Sequence, residues 1–177
     1  MTVDAFKSFS KKQLILLNWW TDSSPYKNRD AIICDGSVRS GKTVCMFLSF
    51  IFWAFYMFSD SSFAVCGKTI TSLRRNIITP MLPMLRSLGF TYEELVSKNM
   101  IIIKKDGREN RFYIFGGKDE GSAALIQGMT LSGVMLDETA LMPRSFCEQA
   151  IARCSVDNSR LWFNCNPENP AHWFYTE

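Results

Sequence analysis

Gly36-Ser37-Val38-Arg39-Ser40-Gly41-Lys42-Thr43 fits the pattern G-x-x-x-x-G-K-S/T at every fixed position. Such a loop binds phosphate for physical reasons. Its glycines let the backbone turn and aim N–H groups at phosphate oxygens, and a helix starting at its end adds the positive end of a dipole. The Lys42 ammonium is expected to reach the β- and γ-phosphates, and the Thr43 hydroxyl to ligate Mg²⁺. A second carboxylate on the metal side is needed at the end of another strand. Asp137, after the apolar run Leu131–Leu136, fits that need and would hold the ion through its water shell. Glu138, next in the chain, is placed to act as general base toward an attacking water. The Asp-Glu pair marks the P-loop branch that hydrolyses ATP, in contrast to small-molecule kinases.

Other residues carry two readings each. Arg39, inside the loop, either stabilises transition-state charge in cis or pairs outward with a carboxylate. Arg74 and Arg75 either contact DNA, act in trans on a neighbour's ATP, or lie on a solvated helix face. Gln13 either reads an adenine edge with its donor and acceptor or sits on the wet face of a lid. Asn166, in Asn164-Cys165-Asn166-Pro167, either bonds the γ-phosphate or lytic water or belongs to an Asn-Pro turn. Lys104, Lys105, Arg108 and Arg111 form a basic stretch, read as solubility charges in preference to phosphate contacts. His172 is the only histidine, so no Ser/His/Asp or Cys/His set is expected.

These residues need a scaffold of alternating strands and helices. A short amphipathic helix is expected over 10–20, with Ser10 as its N-cap. Strands are expected at 31–34, 63–66, 100–105, 111–115, 131–136 and 161–165, the last ending at the asparagines. The pair 100–105 and 111–115 reads as an antiparallel hairpin with a slightly long loop around Asp106-Gly107. A helix over 69–88 should break or kink at Pro80 and Pro83. Another is expected over 143–154, with Pro143 in its first turn. Gly116–Gly128 reads as a glycine-rich loop. The pattern is that of an α/β domain with a mostly parallel sheet.

The chain has 177 residues, 47% of them hydrophobic, and a formal charge of +3. That composition excludes a disordered tail or a collagen-like rod. The mild charge neither requires nor excludes a nucleic-acid partner. Six cysteines without a CxxC pair, with one histidine, argue against zinc and point to a reducing cytosol. Val44–Phe58 is nearly all apolar but short of the ~20 residues that span a bilayer. It reads as a buried helix behind the phosphate loop.

Four stretches together resemble a known family: Lys12-Gln13 before the core, GSVRSGKT, LIQGMTLSGVMLDE and NCNPENPAHW. They are similar to the N-terminal ATPase domain of the large terminase subunit of tailed bacteriophages. The resemblance implies a RecA/ASCE-like P-loop NTPase fold with an inserted β-hairpin, residues 1–177 forming one ATPase domain. It implies a motor that uses ATP and Mg²⁺ to drive double-stranded DNA into a procapsid. The expected partners are a portal protein and a small terminase subunit, with a homo-oligomeric ring in the host cytoplasm, transiently on the procapsid, and no membrane. By this resemblance Gln13 matches the adenine motif, Arg39 the loop arginine and Asn166 the coupling motif. The family often carries Thr or Ser where this chain has Asn164, which leaves the coupling role between Asn164 and Asn166. No RNase H-like carboxylate cluster is seen, so ATP binding without DNA cleavage is expected, from the front part of a longer protein. Two alternatives remain: a nucleotide-binding assembly or switch module with little hydrolysis, and a helicase-like DNA-dependent ATPase.

Overall fold

A computed structural model describes residues 9–36, 41–166 and 173–176. Seven strands form one sheet: β1 (Ala31–Asp35), β2 (Ser61–Gly67), β3 (Thr91–Leu95), β4 (Met100–Lys105), β5 (Arg108–Gly116), β6 (Gly133–Leu136) and β7 (Arg160–Cys165). Their spatial order is β1-β7-β6-β2-β5-β4-β3. The pairs from β1 through β5 are parallel, and β5-β4-β3 continue antiparallel. Parallel strands end on the same side, so the turns after β1, β2, β6 and β7 share one rim.

Alternation along each strand splits the core into two faces. Phe63, Val65, Met135 and Trp162 face one layer. That layer is built from α1 (Lys11–Asn18), α2 (Lys42–Met57), α3 (Ile70–Leu73) and α4 (Thr79–Ser87). Ala64, Cys66, Val134, Leu136 and Phe163 face the other layer, with Phe146, Cys147 and Ala150 of α5 (Arg144–Ala152). A final turn, α6 (Trp173–Thr176), sets Phe174 against Phe163 at 5.5 Å between ring centroids.

The apolar run behind the phosphate loop is α2. Ten of its residues are buried, and Phe50 and Trp53 meet Phe63 and Trp162 edge-on or tilted at 4.8–5.8 Å. Its one buried hydroxyl, on Ser49, accepts from Trp162 Nε1 at 3.2 Å. Among the described residues no helix is long and apolar enough to cross a membrane. No disulfide links the cysteines, and five of them are buried. Burial pushes the Cys34, Cys147 and Cys154 thiols up to about 12.

Several expectations change. The hairpin loop is only Asp106-Gly107, because Lys105 pairs with Arg108 across the turn. Both turn residues have positive φ, 49° and 77°, as the tight turn of a twisted hairpin requires. The expected hairpin is present as β4-β5 and belongs to the main sheet. β5 lies directly beside β2, and β3 adds an unforeseen edge strand whose sequence, TYEEL, lacks apolar alternation.

The helix after β2 does not break at its prolines. A π-turn over Arg74–Ile78 joins α3 to α4. Thr79 N–H reaches back to Arg74 O, a wide turn that places Pro80 in the first turn of α4. Pro83 then lies inside α4. Pro143 is the N-cap of α5, one position outside the helix. The Gly116–Gly128 loop contains a short 3₁₀ turn, Glu120–Leu125.

The basic hairpin residues turn out to be structural. Arg108 donates to Phe55 O and Tyr56 O at the end of α2, at 2.7 and 2.9 Å. Lys105 donates to Leu88 O beyond α4 at 2.7 Å. Arg111 pairs with Asp60 and Lys104 with Glu109, each at 2.7 Å.

Candidate functional site

The site lies on the shared rim. Gly41 is the N-cap of α2 and sits in the left-handed region, φ 77°, so α2 starts at Lys42 and Thr43. A Cβ at position 41 would lie 2.9 Å from Gln13 Nε2. Position 41 therefore needs glycine for its backbone and for its neighbour. Gln13 is held by a reciprocal cap at the start of α1. Its Oε1 accepts from Ser10 N–H at 2.8 Å, and Ser10 Oγ accepts from Gln13 N–H at 3.3 Å. This brings the amide beside the phosphate loop and over a cleft of about 490 Å³. Ile15, Ile33, Gly36 and Lys42 also line that cleft.

Lys42 turns toward the end of β7. Its ammonium donates to Gly36 O, to Cys165 O at 2.9 Å and to Asn166 Oδ1 at 3.2 Å. Thr43, from the next helical position, faces Asn164. Asn164 Nδ2 donates to Thr43 Oγ1 at 3.1 Å and to Asp137 Oδ1 at 2.6 Å. One amide group thus joins the first turn of α2 to the end of β6.

Asp137 is only 9% exposed. Burial, reinforced by the charge of Glu138, pushes its carboxyl up to about 6, against the pull of the Asn164 hydrogen bond and the Lys42 charge. Its N–H continues the sheet by donating to Cys66 O at 2.8 Å. Glu138 breaks out of the strand in the left-handed region, φ 53° and ψ 49°. That geometry is unfavourable for a side chain with a Cβ and concentrates at functional turns. The turn is fixed from behind by buried Thr139, whose hydroxyl donates to Leu136 O at 3.2 Å and Asn164 O at 3.3 Å.

The structure therefore brings together Gly36, Gly41, Lys42, Thr43, Asp137, Glu138, Asn164 and Asn166, with Gln13 at the loop's edge. Ser37, Val38, Arg39 and Ser40 lie outside the described residues, as does His172. Arg74 and Arg75 are on the π-turn, away from this cluster in the contacts they make. Arg74 pairs with Glu94 at 3.1 Å, and Arg75 donates to Asn76 Oδ1 at 3.2 Å. Sequence reasoning missed Thr139 and the cleft residues Ile15 and Ile33. Alternation within Leu161–Cys165 was the available signal for Asn164, since it places 164 and 162 on one side of the strand.

The donor set suits a magnesium-nucleotide. A hydroxyl and a buried carboxylate are hard oxygen ligands for a small cation, and the ammonium beside them suits phosphate. A Cβ at Gly36 would meet only Lys42 Cδ, at 3.8 Å, so the backbone there is open to close approach.

Known proteins place the chain in a family. Residues 33–177 match the family model described as terminase large subunit, T4likevirus-type, N-terminal. The large terminase from a thermophilic bacteriophage, in complex with ADP, is 52% identical over 96% of this chain and 42% of its own, with a TM-score of 0.92. The same terminase in complex with ATP-gamma-S gives 50% identity over 96% of this chain and 41% of its own, with a TM-score of 0.90. The large terminase ATPase domain of Thermus phage P74-26, at 17% identity over 82% of this chain and 62% of its own, shares the fold with a TM-score of 0.62. No curated protein sequence matches the chain. The chain spans about two fifths of the length of the terminase to which it is 50–52% identical. With a phosphate-loop helix, a mostly parallel sheet and an Asp-Glu strand end in these positions, the fold is that of a P-loop NTPase. The chain belongs to the T4-like-virus type of terminase large subunits, and the match falls on that family's N-terminal region.

Proposed function

We propose that this chain binds ATP with Mg²⁺ and hydrolyses it to power translocation of double-stranded viral DNA into a procapsid. The observation that carries this reading is the Thr43–Asn164–Asp137 bridge, which sets the phosphate-loop hydroxyl beside the strand-end carboxylate. The ADP and ATP-gamma-S complexes of the thermophilic-bacteriophage terminase support the same substrate class.

In this mechanism the loop from Gly36 to Thr43 cradles the phosphates, with Arg39 adding positive charge from within it. Lys42 exchanges its contacts with the end of β7 for phosphate oxygens. Thr43 and Asp137 would hold Mg²⁺, Asp137 through its water shell, and the ion would supply positive charge against the phosphates. Glu138 takes a proton from the attacking water as its oxygen bonds to the γ-phosphorus and the bond to the β-γ bridging oxygen breaks. Asn166, on Lys42 Nζ before the phosphates arrive, is the group just after β7 that registers the γ-phosphate. Gln13 holds the nucleobase edge over the cleft with Ile15 and Ile33.

The wider reading is a homo-oligomeric ring on a portal, with a small terminase subunit, in the host cytoplasm. Either Arg74 or Arg75 is the candidate trans-acting cation in that ring. The test is phosphate release with and without double-stranded DNA, with Glu138→Gln as control. DNA-stimulated release that the variant loses supports the motor. Tight ATP binding with negligible turnover at high protein concentration and with DNA present would replace it with an assembly or switch module.

A further inference from the structure

Asn164 is 5% exposed, and both of its amide hydrogens are committed. Its Oδ1 is buried with no hydrogen-bond partner. A buried acceptor left unpaired destabilises the fold, because its desolvation is not offset by a hydrogen bond. The amide cannot recover that by turning over, because Oδ1 would then face the Asp137 carboxylate, which only accepts when ionised. The structure thus tolerates a polar cost in order to aim two donors at two oxygens. Those oxygens come from separate elements, α2 and the end of β6. The backbone of the same residue also receives the Thr139 hydroxyl that holds the Glu138 turn.

We propose that Asn164 is a positioning residue for the divalent-ion site. One N–H fixes the rotamer of the Thr43 hydroxyl, and the other fixes the plane of the Asp137 carboxylate. The remaining lone pair of Thr43 Oγ1 and the remaining acceptor capacity of the Asp137 carboxylate would serve the ion and its water. Groups that orient metal ligands from behind contribute about 10–100-fold to metal affinity. Asn166, two residues along, serves the phosphate side through Lys42. The two asparagines therefore divide the site, one toward the cation and one toward the phosphate. This inference rests on the nucleotide-binding reading above.

The test uses a fluorescent ADP analogue titrated in excess Mg²⁺ and again in EDTA. Wild type is compared with Asn164→Leu, which keeps the volume in a buried strand, and with Asn164→Ala. Circular dichroism confirms that each is folded. The expected result is that the Mg²⁺-dependent gain in affinity falls about 10–100-fold while the affinity in EDTA is unchanged. Equal losses in Mg²⁺ and EDTA would overturn the inference, because a merely structural role predicts them. An unchanged Mg²⁺ gain in both variants would overturn it as well. A wild type that binds no nucleotide in either buffer would overturn the nucleotide reading first, and this inference with it.

Discussion

Asp137 carries opposing demands within one side chain. Burial raises its carboxyl from an ordinary 3.8 to about 6. The folded protein therefore keeps a proton between those values that the unfolded chain has released. The protonated carboxyl's contribution to stability is complete below pH 3.8 and is lost as pH rises through 6. Above that, ionisation costs the fold up to about 3 kcal/mol. Asp137→Asn should raise the denaturation midpoint at about pH 7.5 and lose that advantage toward about pH 4, while weakening Mg²⁺-nucleotide binding. Urea melts at both pH values check this, and an equal difference at the two would contradict it.

Glu138 holds a second local conflict, in its backbone. The left-handed conformation costs roughly 1–2 kcal/mol for a residue with a Cβ. Glu138→Gly should stabilise the fold by about 1 kcal/mol and abolish phosphate release. Parallel melting and phosphate-release assays read the two effects, and a destabilised variant would refute the strain argument.

At the scale of elements, Gly133 shows how α2 sets the sheet. A Cβ there would lie 2.6 Å from the Trp53 ring and 3.0 Å from Arg160 O. Gly133→Ala should therefore cost about 1–3 kcal/mol by overpacking, read as a lower melting midpoint. The effect should shrink in Trp53→Phe, whose smaller ring makes room; an undiminished cost there would place the strain elsewhere.

The same elements explain what was legible in the sequence. The phosphate loop, α2, the Asp-Glu strand end and the β7 asparagines carry local signals, because each needs particular residue types at fixed spacing. The hairpin was legible only in part, because its loop was expected to be longer than the two-residue Asp106-Gly107 turn it has. β3 was not legible, because TYEEL is an exposed edge whose pairing with β4 is a tertiary choice. The π-turn was not legible either, because the rule for proline predicts a break or kink at Pro80 and Pro83 and not a wide turn beginning at Arg74. Nor could sequence show that Lys105 and Arg108 bind carbonyls at helix ends. That contact joins residues over 50 positions apart in the case of Arg108.

Across the whole molecule, the fold gathers its chemistry by topology. β1, β7, β6 and β2 run parallel, so the phosphate loop, the asparagines and the acidic pair all leave the sheet on one rim. The aromatic layer beneath keeps α2 fixed against that sheet, which gives Lys42 and Thr43 a rigid base. A motor needs such a base, because force arising at the phosphates must pass into packed elements and not into a yielding loop. On the proposed reading this rim hydrolyses ATP with Glu138 as the base. Fluorescent-ATP binding and phosphate release, measured on the same samples of wild type and Glu138→Gln, separate binding from chemistry. Equal binding is expected, with a phosphate-release rate at least about 100-fold lower in the variant; equal release rates would remove Glu138 from the base role.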